Sequence, residues 1–414
     1  MGFNNIIQLL IILALTVNPS CKSKEKIPGS NPAHEKVTVK EIAEANNEFT
    51  INLYKKLGED LSNMVFSPYS ISSALAVTYA GARGKTAQEM SDVLWFSKDQ
   101  DSFHPVYKAF TDSIMISGKE KGTELNIANA LWVQEDYQLT QAFLDLAKEY
   151  YHANAENVSF KTYDDQEKSR QKINQWVENQ TNNKIRELIS RGILNELTRM
   201  VITNAIWFNG NWLYPFEKSQ TKPSIFHITQ DKSVTTDFMH QKKETGYYED
   251  DDVQAIELYY KGQKMSMLII LPKEIDGWKL IGKILSTERL AMINDGIKQH
   301  KINMVIPKFS YESEFNLKEI LYKMEMEQAF TNDADFSGMT EENDLRIDEV
   351  IHKAFIEVNE SGTEAAAATA VIMALKTALE EDIIQFIADH PFLYLITDKT
   401  TGGIIFMGRF VNPE

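Results

Sequence analysis

The chain has 414 residues, of which 43% are hydrophobic, 10% aromatic and 25% charged. That balance can bury a large core and excludes disorder over most of the length. Lys plus Arg total 43 against 59 Asp plus Glu, a formal charge of −16, with basic residues only in small groups such as Lys55-Lys56 and Lys242-Lys243; phosphate binding needs a basic patch, so nucleic acid is excluded as a main partner.

Residues 1–20 carry no charged side chain, and Ile6 to Val17 is apolar apart from Gln8 and Thr16. The run has the length of a secretory apolar region and is too short to span a membrane as a helix. Asn18, Pro19 and Ser20 lead into Cys21, the single cysteine, which permits neither an internal disulfide nor a multi-cysteine metal site. The arrangement resembles a bacterial lipoprotein signal, implying a signal peptide over 1–20 and lipidation of Cys21 as a membrane anchor. An ordinary secretory signal cleaved near Ser20 is the alternative. Either way export is expected, giving a secreted, periplasmic, outer-membrane or cell-surface protein. Residues 21–38, with Pro28, Gly29, Ser30, Asn31 and Pro32, read as a flexible tether.

From residue 39 onward the pattern is periodic. Apolar positions recur at helical spacing over Lys40–Leu57, Ile71–Tyr79 and Thr86–Leu94. Strand-like runs follow at Ala255–Leu258, Met265–Leu271, Ile302–Ile306, Ile351–Val358, Phe392–Thr397 and Ile404–Phe410. Helices dominate the first half and strands the second, which predicts an α+β fold. No internal repeat or Gly/Pro-rich break interrupts the sequence, so 39–414 reads as one large domain.

Motifs for catalysis are weak. Gly84-Lys85-Thr86 resembles the tail of a phosphate loop, but Tyr79 stands where that loop needs a glycine, and the stretch follows a helical pattern; it reads as a loop between helices. There is no G-x-S-x-G elbow and no H-E-x-x-H pair. The eight histidines are scattered without ligand spacing, so no metal site or cofactor is expected, and pairs such as Asp251-Asp252 read as a solvated face. An enzyme is the least favoured class.

The unusual stretch is EVNESGTEAAAATAVIMALKT at 357–377. Ser361-Gly362-Thr363-Glu364 fits a capping box, and the alanines that follow favour a surface helix. Against a fixed helix, Ile351–Val358 alternates like a strand that simply continues. Every second residue from Thr363 (Ala365, Ala367, Thr369, Val371, Met373, Leu375) is small and then apolar, as one buried face of a strand requires.

The order of further motifs makes the chain resemble the serpin family over roughly residues 40–414. These are NMVFSPYSISSAL (63–75), TNAIWFNGNWLYPF (203–216), IPKFS (306–310), DFSGMT (335–340), IHKAFIEVNESGTEA (351–365), FIADHPFLYLI (386–396) and FMGRFVNP (406–413). The resemblance implies a serpin fold, with helices around a large central sheet, further sheets and an exposed reactive-centre loop. It also implies a metastable, monomeric inhibitor that needs no cofactor and forms a covalent acyl-enzyme complex with a target serine protease. Cleavage of the loop lets it enter the sheet as an extra strand and carry the protease with it.

By that resemblance the hinge is Glu360, Ser361, Gly362, Thr363, Glu364, Ala365, Ala366, Ala367, Ala368 and Thr369. Side chains that slip between strands keep insertion ahead of hydrolysis; an inward charge or proline opposes it. The family's spacing puts the reactive bond at Lys376-Thr377, which fits a trypsin-like protease, with cleavage at Leu375 or Met373 as the alternative. The span from Thr363 to Lys376, at roughly 3.3 Å per residue, gives an inserted strand of about 43 Å. Ser67, Ser70, Asn204 and His352 match the family's shutter, where hydrogen bonds regulate strand separation; for His352 a satisfied core histidine is the plainer reading. Trp212, Lys308 and Glu360 match the breach, where the loop first enters. Two other functions stay open: a non-inhibitory serpin acting as a binding protein, and a cross-class inhibitor of a papain-like cysteine protease.

Overall fold

The computed structural model describes residues 37–58, 62–342, 344–363 and 383–414. Helix α1 (Val39–Lys56) opens on a reciprocal cap, in which Thr38 accepts the Glu41 N–H and the Glu41 carboxylate accepts the Thr38 N–H. After strand β1 (Met64–Phe66), Ser67 caps α2 (Pro68–Gly81), whose first residue is a proline that forfeits no helical bond there. Every residue of α2 is buried, as expected for a helix with three serines and a threonine but no charge on any face.

Helices α3 (Gly84–Leu94) and α4 (Gln100–Ser117), strand β2 (Thr123–Gln134), helix α5 (Gln141–Tyr151), strand β3 (Asn154–Val158) and helix α6 (Tyr163–Gln180) complete the first half. The link from α2 to α3 is shorter than the sequence suggests. Gly84-Lys85-Thr86, read as a loop, is instead the first turn of α3, with Gly84 at φ +53 making the bend. Strands then dominate: β4 (Met200–Asn211), β5 (Lys222–His227), β6 (Ser233–Glu249), β7 (Val253–Tyr259) and β8 (Met265–Pro272). Helices α7 (Trp278–Ile284) and α8 (Thr287–Gly296) precede β9 (Lys298–Pro307) and β10 (Phe309–Asn316). Helix α9 (Lys318–Lys323), β11 (Glu349–Asn359), the two-residue β12 (Gly362–Thr363), β13 (Ile384–Ile387), β14 (Phe392–Asp398) and β15 (Ile404–Phe410) follow.

Among the described residues the strands form two sheets. One has nine strands in the order β1-β15-β14-β8-β7-β6-β9-β13, with β5 on β6; the other has six, in the order β10-β11-β12-β4-β2-β3. Helix α2 touches β2 and β4 of the six-stranded sheet and β15 of the other, so it is the shared core between them. On the opposite face of the six-stranded sheet, Ile173 and Val177 of α6 pack on Trp132, Val201, Ala205 and Ile351. Strands β4 and β11 are therefore covered on both sides; the largely apolar run of β4 follows from it, while β11 carries Glu349, His352, Lys353 and Glu357 among its apolar positions. The mixture of helices and large mixed sheets bears out the α+β expectation.

Two readings of the stretch after residue 358 are corrected. β11 does not continue as one strand, and Ser361 does not cap a helix, since Gly362 and Thr363 are strand. The chain reverses at Glu360-Ser361, where the Asn359 side chain accepts the Ser361 N–H at 2.9 Å, a local bond that favours a turn over either element.

Candidate functional site

Below the turn, β4 and β11 run parallel and pair directly, from Glu349 opposite Val201 to Phe355 opposite Trp207. Above it they part, and β12 lies between them. Gly362 and Thr363 are antiparallel partners of Asn359 and Val358 on one side and of Asn211 and Gly210 on the other. The sequence thus starts a new strand inside the sheet, at the one end where two neighbours are splayed. Only glycine suits the first position: Gly362 has φ +151, and a Cβ there would lie 1.9 Å from the Gly210 carbonyl oxygen.

A set of bonds from the residues after β4 holds this turn. The Trp212 backbone N–H donates to Ser361 O at 2.9 Å, and its indole Nε1–H donates to Asn359 O at 3.0 Å. The Phe216 N–H donates to Glu360 O at 2.8 Å. Lys308 Nζ lies 3.2 Å from Glu360 Oε1, which also accepts the Thr221 hydroxyl at 2.7 Å. Burial works against the Glu360 charge, but hydrogen bonds from Thr221, its own backbone N–H and Lys308 outweigh it and hold the carboxyl below its usual range. The Trp212 ring stacks on Tyr260 at 4.6 Å, and the Tyr260 hydroxyl meets Thr363 Oγ1 at 2.7 Å. Trp212, Lys308 and Glu360 are thus brought together around the turn. Tyr260 and Thr221 were missed; a tyrosine next to another in an ordinary strand pattern gives no signal of its own.

Lower down, between β4, β11 and α2, a second polar group is buried. His352 faces Asn204 in register across β4 and β11. His352 Nε2 accepts the Ser67 N–H at 3.1 Å, so its proton sits on Nδ1 and is donated to Asn204 Oδ1. Asn204 Nδ2 donates to Ser70 Oγ and to Asn129 Oδ1. Ser67 Oγ accepts the Ser70 N–H as the helix cap and donates to Ile405 O at 2.6 Å. Ser67, Ser70, Asn204 and His352 therefore form one network across two strands, a helix and β15, and Asn129 is the member that sequence reasoning missed. The available signal was a polar residue inside the apolar run IANALW.

Full burial removes the water that would solvate an imidazolium and lowers the His352 pKa from 6.5 to about 3. The unfolded chain takes up a proton below about pH 6.5, whereas the folded one stays neutral down to about pH 3. Stability from this group is therefore complete above pH 6.5 and falls by about 1.4 kcal/mol per unit as the solution is acidified. Between pH 6.5 and 5, denaturant titration of the wild type is expected to lose about 1.5–2 kcal/mol more than His352→Gln. Parallel pH profiles would contradict it.

Glu364, Ala365, Ala366, Ala367, Ala368 and Thr369, the reactive pair Lys376-Thr377 and Cys21 lie outside the described residues. Among the described residues no group of three or more His, Cys, Asp or Glu is placed to hold a metal ion. Among the described residues the arrangement offers no nucleophile–base pair; it offers a sheet with a short strand clasped at one end of a seam and a buried hydrogen-bonded network farther along it.

Comparison with known proteins agrees with this architecture. The family model described as serpin (serine protease inhibitor) matches residues 44–413. An uncharacterised serpin-like protein of Thermococcus kodakarensis is 42% identical over 376 residues, covering 91% of this chain and 86% of that one. The crystal structure of Serpin48, a highly specific serpin of the insect Tenebrio molitor, superposes with a TM-score of 0.80 at 33% identity, covering 90% of this chain and 98% of that one. Human thyroxine-binding globulin in complex with its hormone superposes with a TM-score of 0.81 at 29% identity, covering 91% of this chain and 100% of that one.

Proposed function

The chain belongs to the serpin family, whose members are generally protease inhibitors rather than enzymes, and from that membership we propose that it is an irreversible suicide-substrate inhibitor of a trypsin-like serine protease. One observation carries the reading: Gly362 and Thr363 already sit as a strand between β4 and β11, in antiparallel register with both. An inserting loop needs only to extend what has begun. The next residues, Glu364 to Thr369, keep a small side chain at every second position from Thr363, so continued insertion buries no charge on that face. Serpin loop insertion is itself an established case of stored strain released by a cut.

In this reading the protease attacks Lys376-Thr377 and is held as an acyl-enzyme. Insertion must then separate β4 from β11 before water completes hydrolysis. The lysine supplies the cation that an acidic specificity pocket takes. A second reading, a binding protein of the same fold, draws support from the structural likeness to thyroxine-binding globulin, solved in complex with thyroxine. The alanine run of the hinge favours inhibition.

Mixing the purified chain with trypsin is expected to give an SDS-resistant adduct and a released fragment beginning at Thr377, and the nicked chain is expected to melt well above the intact one. Cleavage without adduct and without a rise in melting temperature would leave only a substrate or a carrier. We also propose export with anchoring through Cys21; Cys21→Ala is expected to move the protein from the membrane to the soluble fraction. An unchanged distribution would favour plain secretion.

A further inference from the structure

A cleft of about 930 Å³ opens beside the clasp that holds the Glu360-Ser361 turn. Trp212, Tyr214, Phe216 and Tyr259 give it an aromatic lining. Lys242, Lys243, His300 and Lys301, contributed by the paired strands β6 and β9, give it a basic side, with Glu244 as the carboxylate among the lining residues. The two features meet where Lys243 Nζ stands 3.8 Å from the centre of the half-exposed Tyr214 ring. Gln241 fixes the loop beneath by donating to Pro215 O at 2.8 Å.

Three lysines on one concavity run against the charge of a chain whose formal balance is −16. An anion is repelled by most of this surface and drawn to this part of it. The volume falls within the roughly 300–1,000 Å³ typical of small-molecule sites. Tyr214, half exposed, and the partly exposed Tyr259 offer ring surface to a flat ligand, whereas Trp212 and Phe216 are themselves buried, and the ammonium groups accept acidic substituents.

The reverse side of the same lining is what holds the hinge. Trp212 bonds Asn359 and Ser361 and stacks on Tyr260, which bonds Thr363; Phe216 bonds Glu360. A ligand against residues 212–216 therefore acts on the clasp directly. We propose that this cleft binds a small ring-bearing organic polyanion, such as an aromatic sulfonate, carboxylate or phosphate, and that its occupancy changes how readily the hinge advances between β4 and β11. The coupling half rests on the inhibitory reading above; the binding half does not.

The probe is 8-hydroxypyrene-1,3,6-trisulfonate, titrated into the full chain at about 0.15 M salt and followed by fluorescence polarisation. Saturable binding is expected, at least tenfold tighter than that of uncharged 1-pyrenemethanol. The double variant Lys243→Gln/Lys301→Gln is expected to bind at least tenfold more weakly with an unchanged melting temperature, and Lys301→Gln alone to show part of that loss. Non-saturable binding, or an affinity unmoved in the double variant, would overturn the site. Affinities for the intact and the loop-cleaved chain are expected to differ by at least threefold; equal affinities would overturn the coupling. Because these readouts need no protease adduct, a site that binds in a chain that fails to trap trypsin would leave the binding half standing and reject the inhibitory reading alone.

Discussion

Replacing Thr363 by arginine is expected to turn the inhibitor into a substrate. Thr363 is 1% exposed, with its hydroxyl on Tyr260 and its backbone paired to both Val358 and Gly210. A guanidinium there has no carboxylate within the pairs that surround it, and burying an unpartnered cation costs several kcal/mol. An arginine therefore unseats β12 in the intact chain, and the cost returns when insertion has to bury residue 363 again, in competition with deacylation. A rise of about 2.7 kcal/mol in the insertion barrier slows that step about a hundredfold. The ratio of SDS-resistant adduct to cleaved product is expected to fall by about that factor, while the rate of initial cleavage stays within twofold. Thr363→Ser, which keeps the hydroxyl, is expected to retain adduct formation. Undiminished adduct in the arginine variant would mean that the seated hinge plays no part in trapping.

Asn204→Ala is expected to destabilise the intact chain and spare the cleaved one. The amide bonds His352, Ser70 and Asn129 at once, and all four side chains are buried. Its removal strands the His352 Nδ1–H and weakens the bonds of the two others, a loss of about 3 kcal/mol at one to a few kcal/mol per orphaned group. For a domain this large the melting temperature is expected to drop by about 5 °C. After insertion the comparison changes. Neighbouring strands lie about 4.8 Å apart, so a strand placed between β4 and β11 moves Asn204 and His352 to about twice that distance and breaks their bond in any case. Calorimetry of intact and nicked variants checks this; equal losses in both would show that the network does not guard the seam.

Much of this was legible in the sequence. Helical spacing located α1, α2 and α3 to within a few residues, and short strand-like apolar stretches marked β7, β8, β9, β11, β14 and β15, because each concentrates apolar residues in one run. The long strands β2, β4 and β6 were not read. β4 is covered by α2 on one face and α6 on the other, so its apolar run lacks the period of two that marks a strand. β6 is mostly polar where it is exposed. Shutter and breach residues were named through the family resemblance, since nothing local in Ser67 or Lys308 announces a bond to a residue hundreds of positions away. The reversal at Glu360-Ser361 escaped notice for a related reason. Alternation says which face a residue takes but not which way the chain runs, and the turn depends on Asn359, Gly362 and the Trp212 bonds acting together.

One feature of the scaffold bears on how the molecule is made. The Ser67 hydroxyl leans on the carbonyl of Ile405, and β15 pairs with both β1 and β14, so an element near residue 65 waits for partners beyond residue 400. A ribosome delivers those partners last. Until then the nascent polypeptide has neither its nine-stranded sheet completed nor the Ser67–Ile405 bond made. Under the export proposed above, such lateness would keep the chain unfolded until it has crossed the bilayer.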